Sequence, residues 1–125
     1  PWADLACDGP TMASKAEADP SLDAPGLIAS AAHYLGAHDA AHPLASPVNA
    51  DLSGLPPLLV QVGSSEILLG DSVLVADRAG AAETHVQLEV WPEMIHVFQS
   101  FHFMLPEGRA AIDSAGAFLR SRLAA

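Results

Sequence analysis

The chain has 125 residues, half of them apolar, and a formal net charge of −10 at pH 7. This apolar content suffices for a packed core and excludes a disordered chain, while the acidic surface argues against phosphate-bearing partners such as nucleic acids. The single cysteine, Cys7, excludes an intramolecular disulfide and a cysteine-based metal site.

The first 26 residues are rich in proline and glycine, and this density predicts loop. Because the chain starts at Pro1 rather than Met, we expect that it was processed or cut from a longer protein. A helix is predicted over residues 24–35, since Pro25 suits a first turn and Gly36 suits a stop. Residues 39–56 again favour loop.

The second half of the chain predicts two strands and two helices. Residues 57–63 form a short apolar run that favours a strand buried on both faces, and residues 85–91 alternate like a strand with one exposed face. Between them, a helix over residues 71–82 would be capped by Asp71. The last helix covers residues 107–123, with an apolar stripe made of Ile112, Ala115, Phe118, Leu119 and Leu123.

The order strand, helix, strand, helix predicts an α/β fold in which parallel strands are joined by a right-handed crossover. Two parallel strands alone make a poor domain, because parallel sheets are covered on both faces and are usually larger. We therefore expect an incomplete sheet whose remaining strands lie upstream of this chain.

Catalytic groups in parallel sheets gather at the carboxyl ends of the strands, and a loop follows each predicted strand here. Glu66 lies in the first loop and His96 in the second, so the carboxylate can reach the imidazole and orient it as a base. Asp71 is the second choice for the acid, since a helix cap already occupies its carboxylate.

The remaining candidates for chemistry are weaker. The spacing of His33, His38 and His42 resembles a metal cluster only superficially, because Gly36 and Pro43 break any common helical face. The other two histidines, His85 and His102, favour structural roles. No G-x-S-x-G motif for a nucleophilic serine is present, and Ser114, in a near match, falls on the surface of the last helix.

Four segments together resemble the hormone-sensitive-lipase-like esterases of the α/β-hydrolases. Residues 1–5 resemble the end of that family's sixth strand, and residues 46–57 resemble its approach to the seventh. Residues 62–69, Val-Gly-Ser-Ser-Glu-Ile-Leu-Leu, resemble the loop of the catalytic acid, and residues 89–98 resemble the loop of the catalytic histidine. The family's cap, oxyanion motif and serine elbow have no counterpart in residues 1–125.

The resemblance implies that His96 is the catalytic base and Glu66 the acid, at a position where many family members have Asp. It implies hydrolysis of small carboxylic esters without a cofactor, by an enzyme of which residues 1–125 are a C-terminal fragment of one α/β-hydrolase domain. The chain would then pair with the missing N-terminal half or form a homo-oligomer.

Two further expectations come from features that the sequence lacks. No apolar run approaches the roughly 20 residues of a membrane span, and no secretory signal is recognisable, so we expect a cytoplasmic protein. The missing nucleophile leaves an alternative open, in which the chain is a non-catalytic truncated remnant or an interaction module.

Overall fold

The computed structural model describes residues 1–123, which form four α-helices, two short 3₁₀ turns and one pair of strands. Helix α1 spans Thr11–Ser14 and α2 spans Ala24–Leu35. Strand β1 (Leu58–Gly63), helix α3 (Leu69–Ala81) and strand β2 (Val86–Trp91) follow. Helix α4 (Pro106–Leu123) completes the described part, and the 3₁₀ turns cover Pro47–Asn49 and Phe98–Phe101.

The two strands are parallel and pair in register from Leu58 opposite Val86 to Gly63 opposite Trp91. Helix α3 connects them and packs on both strands. The predicted α/β class and the incomplete parallel sheet are confirmed, because β1 and β2 are the only two strands within residues 1–123. This arrangement brings the loops after β1 and β2 to the same edge of the sheet.

Helix α2 agrees with its prediction at both ends. Asp23 precedes the helix in extended conformation and its side chain accepts a hydrogen bond from the Gly26 amide, so the helix has a side-chain N-cap. Gly36 ends it with φ +58°, a conformation that glycine adopts without steric cost. The expectation of loop over residues 1–26 is wrong for α1, which forms a single turn, and for residues 24–26, which begin α2 as the helix prediction has it.

Helix α3 differs from its prediction. It begins at Leu69, so Asp71 lies inside the first turn and does not cap the helix. The buried face carries Asp71, Ser72 and Ala79, while the apolar Val73 is exposed. The start of the helix does not change which residues share a face, so the buried face is set by packing on the sheet, where polar Asp71 and Ser72 lie inward.

Helix α4 begins one residue before its predicted start, but the apolar stripe does not form the core face. Gly108 and Ala111 are buried, whereas Ile112, Leu119 and Leu123 are exposed. The buried side of the helix is the one that carries Gly108 and Ala111, with Ala115 and Phe118 half-buried beside them, and the Gln61 side chain donates to the Ala111 carbonyl over 2.7 Å.

The main apolar cluster lies between the N-terminal segment and the loop after β1. It consists of Cys7, Met12, Leu27, Ile67 and Leu68, with Trp2, Leu22 and Ala24 packed against it. Ile67 and Leu68 are fully buried, so this loop is part of the core and not a surface connection. Within residues 1–123, no helix combines the length and the apolar character needed to cross a membrane.

Candidate active site

The loops after β1 and β2 stay in contact beyond the last paired residues of the strands. The Ser64 amide donates to the Trp91 carbonyl over 2.9 Å, and the Ser65 amide donates to the Met94 carbonyl over 3.0 Å. The Glu93 amide donates to the Ser64 side-chain oxygen over 2.8 Å. These three bonds fix the loops relative to each other independently of the catalytic candidates.

Gly63 allows the close approach of the two loops. A β-carbon built on Gly63 would lie 2.1 Å from the carbonyl oxygen of Met94, a distance that no real side chain tolerates. The strand therefore needs glycine at its last position, because only a residue without a side chain lets the second loop pass directly over it.

Glu66 and His96 are in direct contact. Oε2 of Glu66 lies 2.8 Å from Nδ1 of His96, and Oε1 of Glu66 accepts a hydrogen bond of 2.7 Å from the Gly63 amide. Glu66 is only 2% exposed. Both oxygens of a buried carboxylate are thus engaged, one by the backbone of β1 and the other by the imidazole.

This contact selects the tautomer of His96. A carboxylate can only accept, so Nδ1 carries the hydrogen and Nε2 keeps a lone pair that can accept a proton. The His96 side chain is 27% exposed, which leaves one part of the ring open to a reaction partner. Chemically the pair can act as a general base whose imidazolium form is stabilised by a fixed negative charge.

The backbone next to His96 has an unusual conformation. Val97 has φ +52°, in the left-handed region that is strained for a β-branched residue. The following Phe98 is 1% exposed, and its ring centroid lies 5.6 Å from that of Trp91. The buried Phe98 anchors the chain on the core, and the sharp bend at Val97 keeps His96 near the surface.

Asp71, the alternative acid, has a different environment. Its Oδ2 accepts hydrogen bonds from the amides of Ala3 and Asp4, at 2.8 and 2.9 Å, and it is 4% exposed. Burial raises the pKa of Asp71, and these two hydrogen bonds offset the rise only partly. The carboxylate therefore ties the N-terminal segment to α3, and it is Glu66 that lies against His96.

The weaker sequence candidates lie away from this pair. Ser114 lies within α4 as predicted, but it is half-buried and donates to the Glu89 carboxylate over 2.6 Å. His33 lies on α2, and His38 and His42 lie in the segment that follows it. Among residues 1–123, no group of three or more histidine, cysteine, aspartate or glutamate side chains is arranged to hold a metal ion.

Two cavities within residues 1–123 lie away from Glu66 and His96. One of about 620 Å³ lies beside α3, between Asp4, Thr11 and Asp77. Another of about 360 Å³ lies after α2 and is lined by Tyr34 and His42. Glu66 and His96 line neither of them.

Three residues that the sequence did not single out lie against the site. The sequence marks Gly63 only as the end of a strand, because its steric role depends on a loop 31 residues away. Asp19 and Thr11 bind the backbone of Ile67, next to Glu66. An Asp-Pro-Ser sequence at residues 19–21 signals a turn but not its distant partner.

A family model described as alpha/beta hydrolase fold matches residues 1–100 of the chain. An acetyl-hydrolase of Streptomyces hygroscopicus is 50% identical over 121 residues, which are 97% of this chain and 40% of the relative. An esterase of Acinetobacter venetianus is 35% identical over 122 residues, with the same two coverages.

Solved structures agree with these relatives. The crystal structure of the esterase EstE5 soaked with ethyl alcohol matches with a TM-score of 0.98 at 48% identity, over 100% of this chain and 42% of that one. An esterase from the bacterial hormone-sensitive lipase family matches with a TM-score of 0.96 at 48% identity, over 98% and 41%. The chain thus spans about two fifths of the length of these proteins.

Proposed function

This chain belongs to the hormone-sensitive-lipase-like esterases of the alpha/beta hydrolase fold, and from that premise we propose that it supplies the catalytic acid and base of a serine carboxylesterase. Glu66 is the acid and His96 the base. The nucleophilic serine and the oxyanion donors belong to a part of the enzyme outside residues 1–125. The chain corresponds in this proposal to the C-terminal portion of one α/β-hydrolase domain.

The contact between Oε2 of Glu66 and Nδ1 of His96 carries the proposal. In the acylation step, Nε2 of His96 takes the proton from the serine hydroxyl as its oxygen attacks the ester carbonyl carbon. The imidazolium then gives this proton to the leaving alcohol oxygen as the tetrahedral intermediate collapses. Water repeats the sequence on the acyl-enzyme, with the same nitrogen accepting and returning the proton.

Glu66 contributes by position and by charge. The hydrogen bond from the Gly63 amide fixes Oε1, so Oε2 is already directed at Nδ1 of His96. A mobile carboxylate would lose conformational entropy to reach the same position. The buried negative charge favours the imidazolium form during proton transfer. No cofactor takes part in this mechanism.

The substrate is a small carboxylic ester with a short or medium acyl chain. The name of the Streptomyces relative specifies an acetyl-hydrolase, and a structure at 48% identity was obtained after soaking EstE5 with p-nitrophenyl butyrate. Both point to short acyl groups, which makes p-nitrophenyl acetate and butyrate suitable assay substrates.

The test uses the intact enzyme that carries this chain. His96→Ala should lower kcat for p-nitrophenyl butyrate by at least about 1,000-fold, because serine activation is lost. Glu66→Gln should cost on the order of 1,000-fold through the wrong tautomer of His96. Asp71→Asn is the matched acid variant and should change kcat by no more than about threefold.

Two results would contradict these assignments. Wild-type turnover in His96→Ala removes this histidine from the mechanism. A large loss in Asp71→Asn together with a small loss in Glu66→Gln would transfer the role of the acid to Asp71.

The absence of a G-x-S-x-G motif within residues 1–125 favours a second candidate, a non-catalytic remnant or interaction module. The two candidates differ in the reading frame that precedes the codon for Pro1. An in-frame G-x-S-x-G motif in that stretch supports the esterase, and a stop codon there supports the remnant. The chain by itself should hydrolyse p-nitrophenyl butyrate no faster than buffer.

A further inference from the structure

We propose that Asp19 is a positioning residue for the catalytic acid, and that Thr11 completes the same support. The proposal rests on the proposed function, because it assigns Asp19 an effect on turnover that acts through Glu66. It concerns how the loop after β1 is held from the side opposite to His96.

The two carboxylate oxygens of Asp19 have separate partners. Oδ1 accepts from the Ser21 amide, the Ser21 hydroxyl and the Leu22 amide, at 2.8 to 3.0 Å. Oδ2 accepts from the Ile67 amide over 2.9 Å, across 48 residues of sequence. One oxygen thus stabilises the local turn and the other binds the residue directly after Glu66.

Thr11 binds the other peptide group of Ile67. Its hydroxyl donates to the Ile67 carbonyl over 2.6 Å and accepts from the Gly70 amide over 2.9 Å. Both the amide and the carbonyl of Ile67 are therefore held by side chains of the N-terminal segment. Ile67 is fully buried, so no water can replace these partners without movement of the loop.

These contacts hold Glu66 at two points. The Gly63 amide holds one end of its side chain, and the fixed Ile67 peptide holds its backbone. Without Asp19, the buried Ile67 amide loses its acceptor and the loop must shift to find another. A displacement of about 1 Å in a supporting element can reduce turnover by roughly 100-fold, because the reacting groups leave their productive geometry.

Asp19→Asn is the sharpest variant of this contact. The asparagine oxygen can keep the turn bonds to residues 21 and 22, while its NH₂ group faces the Ile67 amide, where two donors repel each other. Asp23→Ala is the matched control, since Asp23 accepts one backbone hydrogen bond at the start of α2 and does not bind the loop after β1.

The experiment measures kcat and KM for p-nitrophenyl butyrate in the intact enzyme, per folded molecule. Asp19→Asn should lower kcat by roughly 10- to 100-fold and change KM by less than about twofold, because geometry and not binding is impaired. Deuterium uptake of a peptide covering residues 64–70 should accelerate. Asp23→Ala should retain wild-type kcat and wild-type uptake in that peptide.

Thr11→Val provides a second, independent variant that leaves the turn at Asp19 intact. It should lower kcat several-fold, and it decides the question if Asp19→Asn does not fold. Wild-type kcat in the folded Asp19→Asn enzyme overturns the proposal, and so does an equal loss in Asp23→Ala, since the role would then be structural only. If Glu66→Gln retains activity, the proposed function is wrong in its assignment of Glu66 as the acid; if Glu66→Gln is inactive while Asp19→Asn is normal, only the positioning role fails.

Discussion

Gly63 contacts both loops of the Glu66–His96 pair. Its amide holds Glu66, and the space beside its α-carbon is filled by the Met94 carbonyl. One glycine therefore serves both members of the pair, because it holds Glu66 directly and lets the loop of His96 approach.

Gly63→Ala should destabilise the folded protein by about 1–3 kcal/mol, as a β-carbon at this position forces the second loop away. Esterase activity of the intact enzyme should fall more than stability predicts, because the displaced loop carries His96. Urea unfolding and p-nitrophenyl butyrate turnover measure the two effects. Gly9→Ala is the control, since its β-carbon would meet no atom within 4 Å; equal effects in both variants would contradict this account.

Asp19 and Asp71 are both buried, yet their pKa values move in opposite directions. Burial works to raise the pKa of Asp19, but four hydrogen bonds from Ile67, Ser21 and Leu22 outweigh it and hold the pKa below its usual range. Burial raises the pKa of Asp71 above its usual value, and two hydrogen bonds do not compensate for it.

The two aspartates should therefore affect stability with opposite pH dependence. Asp19 contributes stability that is present above its unfolded pKa and is lost as the pH falls through its lower folded pKa. Asp71 contributes stability that is present below its unfolded pKa and is lost as the pH rises through its higher folded pKa. Urea unfolding between acidic and neutral pH should show the advantage of wild type over Asp19→Asn growing with pH, and the advantage over Asp71→Asn shrinking. The same trend in both variants would contradict these assignments.

The strands and helices show which parts of the fold the sequence determines locally. Strands β1 and β2 were predicted to within a residue, because short apolar runs bounded by proline, glycine or polar residues suffice to mark them. Helix α2 was predicted at both ends from Pro25 and Gly36. Helix α3 was placed two residues late, since its first residues belong to the apolar run that also forms the core, and nothing local separates the two.

The candidate site was predictable only in part, because local sequence marks some of its contacts and not others. Consecutive parallel strands bring their following loops together, so proximity of Glu66 and His96 could be expected from topology alone, while their catalytic role stays a prediction. The contact of Asp19 with Ile67 spans 48 residues and depends on packing of the N-terminal segment against the loop after β1. Hydrophobic periodicity and turn signals carry no information on such a pair.

Helix α4 exposes three residues of its predicted apolar stripe, Ile112, Leu119 and Leu123. Leu119 is 55% exposed here, so Leu119→Glu should change the stability of this chain by no more than about 0.5 kcal/mol. In the intact enzyme we expect Leu119→Glu to lower the free energy of unfolding by about 2 kcal/mol or more, because an apolar helical stripe typically packs against a core. Thermal unfolding of both proteins measures the difference, and equal shifts would show that the stripe faces solvent in both.

Residues 1–123 consist of an N-terminal segment and the strands and helices that follow it. The N-terminal segment and the loop after β1 share one apolar cluster. Among residues 1–123 each of the two strands has one strand neighbour, so each presents one edge without a strand partner. Such edges attract further strands. The chain spans about two fifths of its relatives, and the rest of the proposed enzyme would supply both the partner strand and the nucleophile.

The unit β1–α3–β2 has one more consequence, for the order of folding. Glu66 and His96 are separated by 30 residues, and the chain between them consists of α3, β2 and short loops. The entropic cost of closing a loop grows only slowly with its length, and contacts between near neighbours in sequence form early. We therefore expect the acid and the base to meet in an early intermediate, with amides of Gly63 and Ser65 protected in pulse-labelling before those of residues 3 and 4. The machinery for proton transfer would then assemble as a kinetic nucleus around which slower, long-range contacts are added.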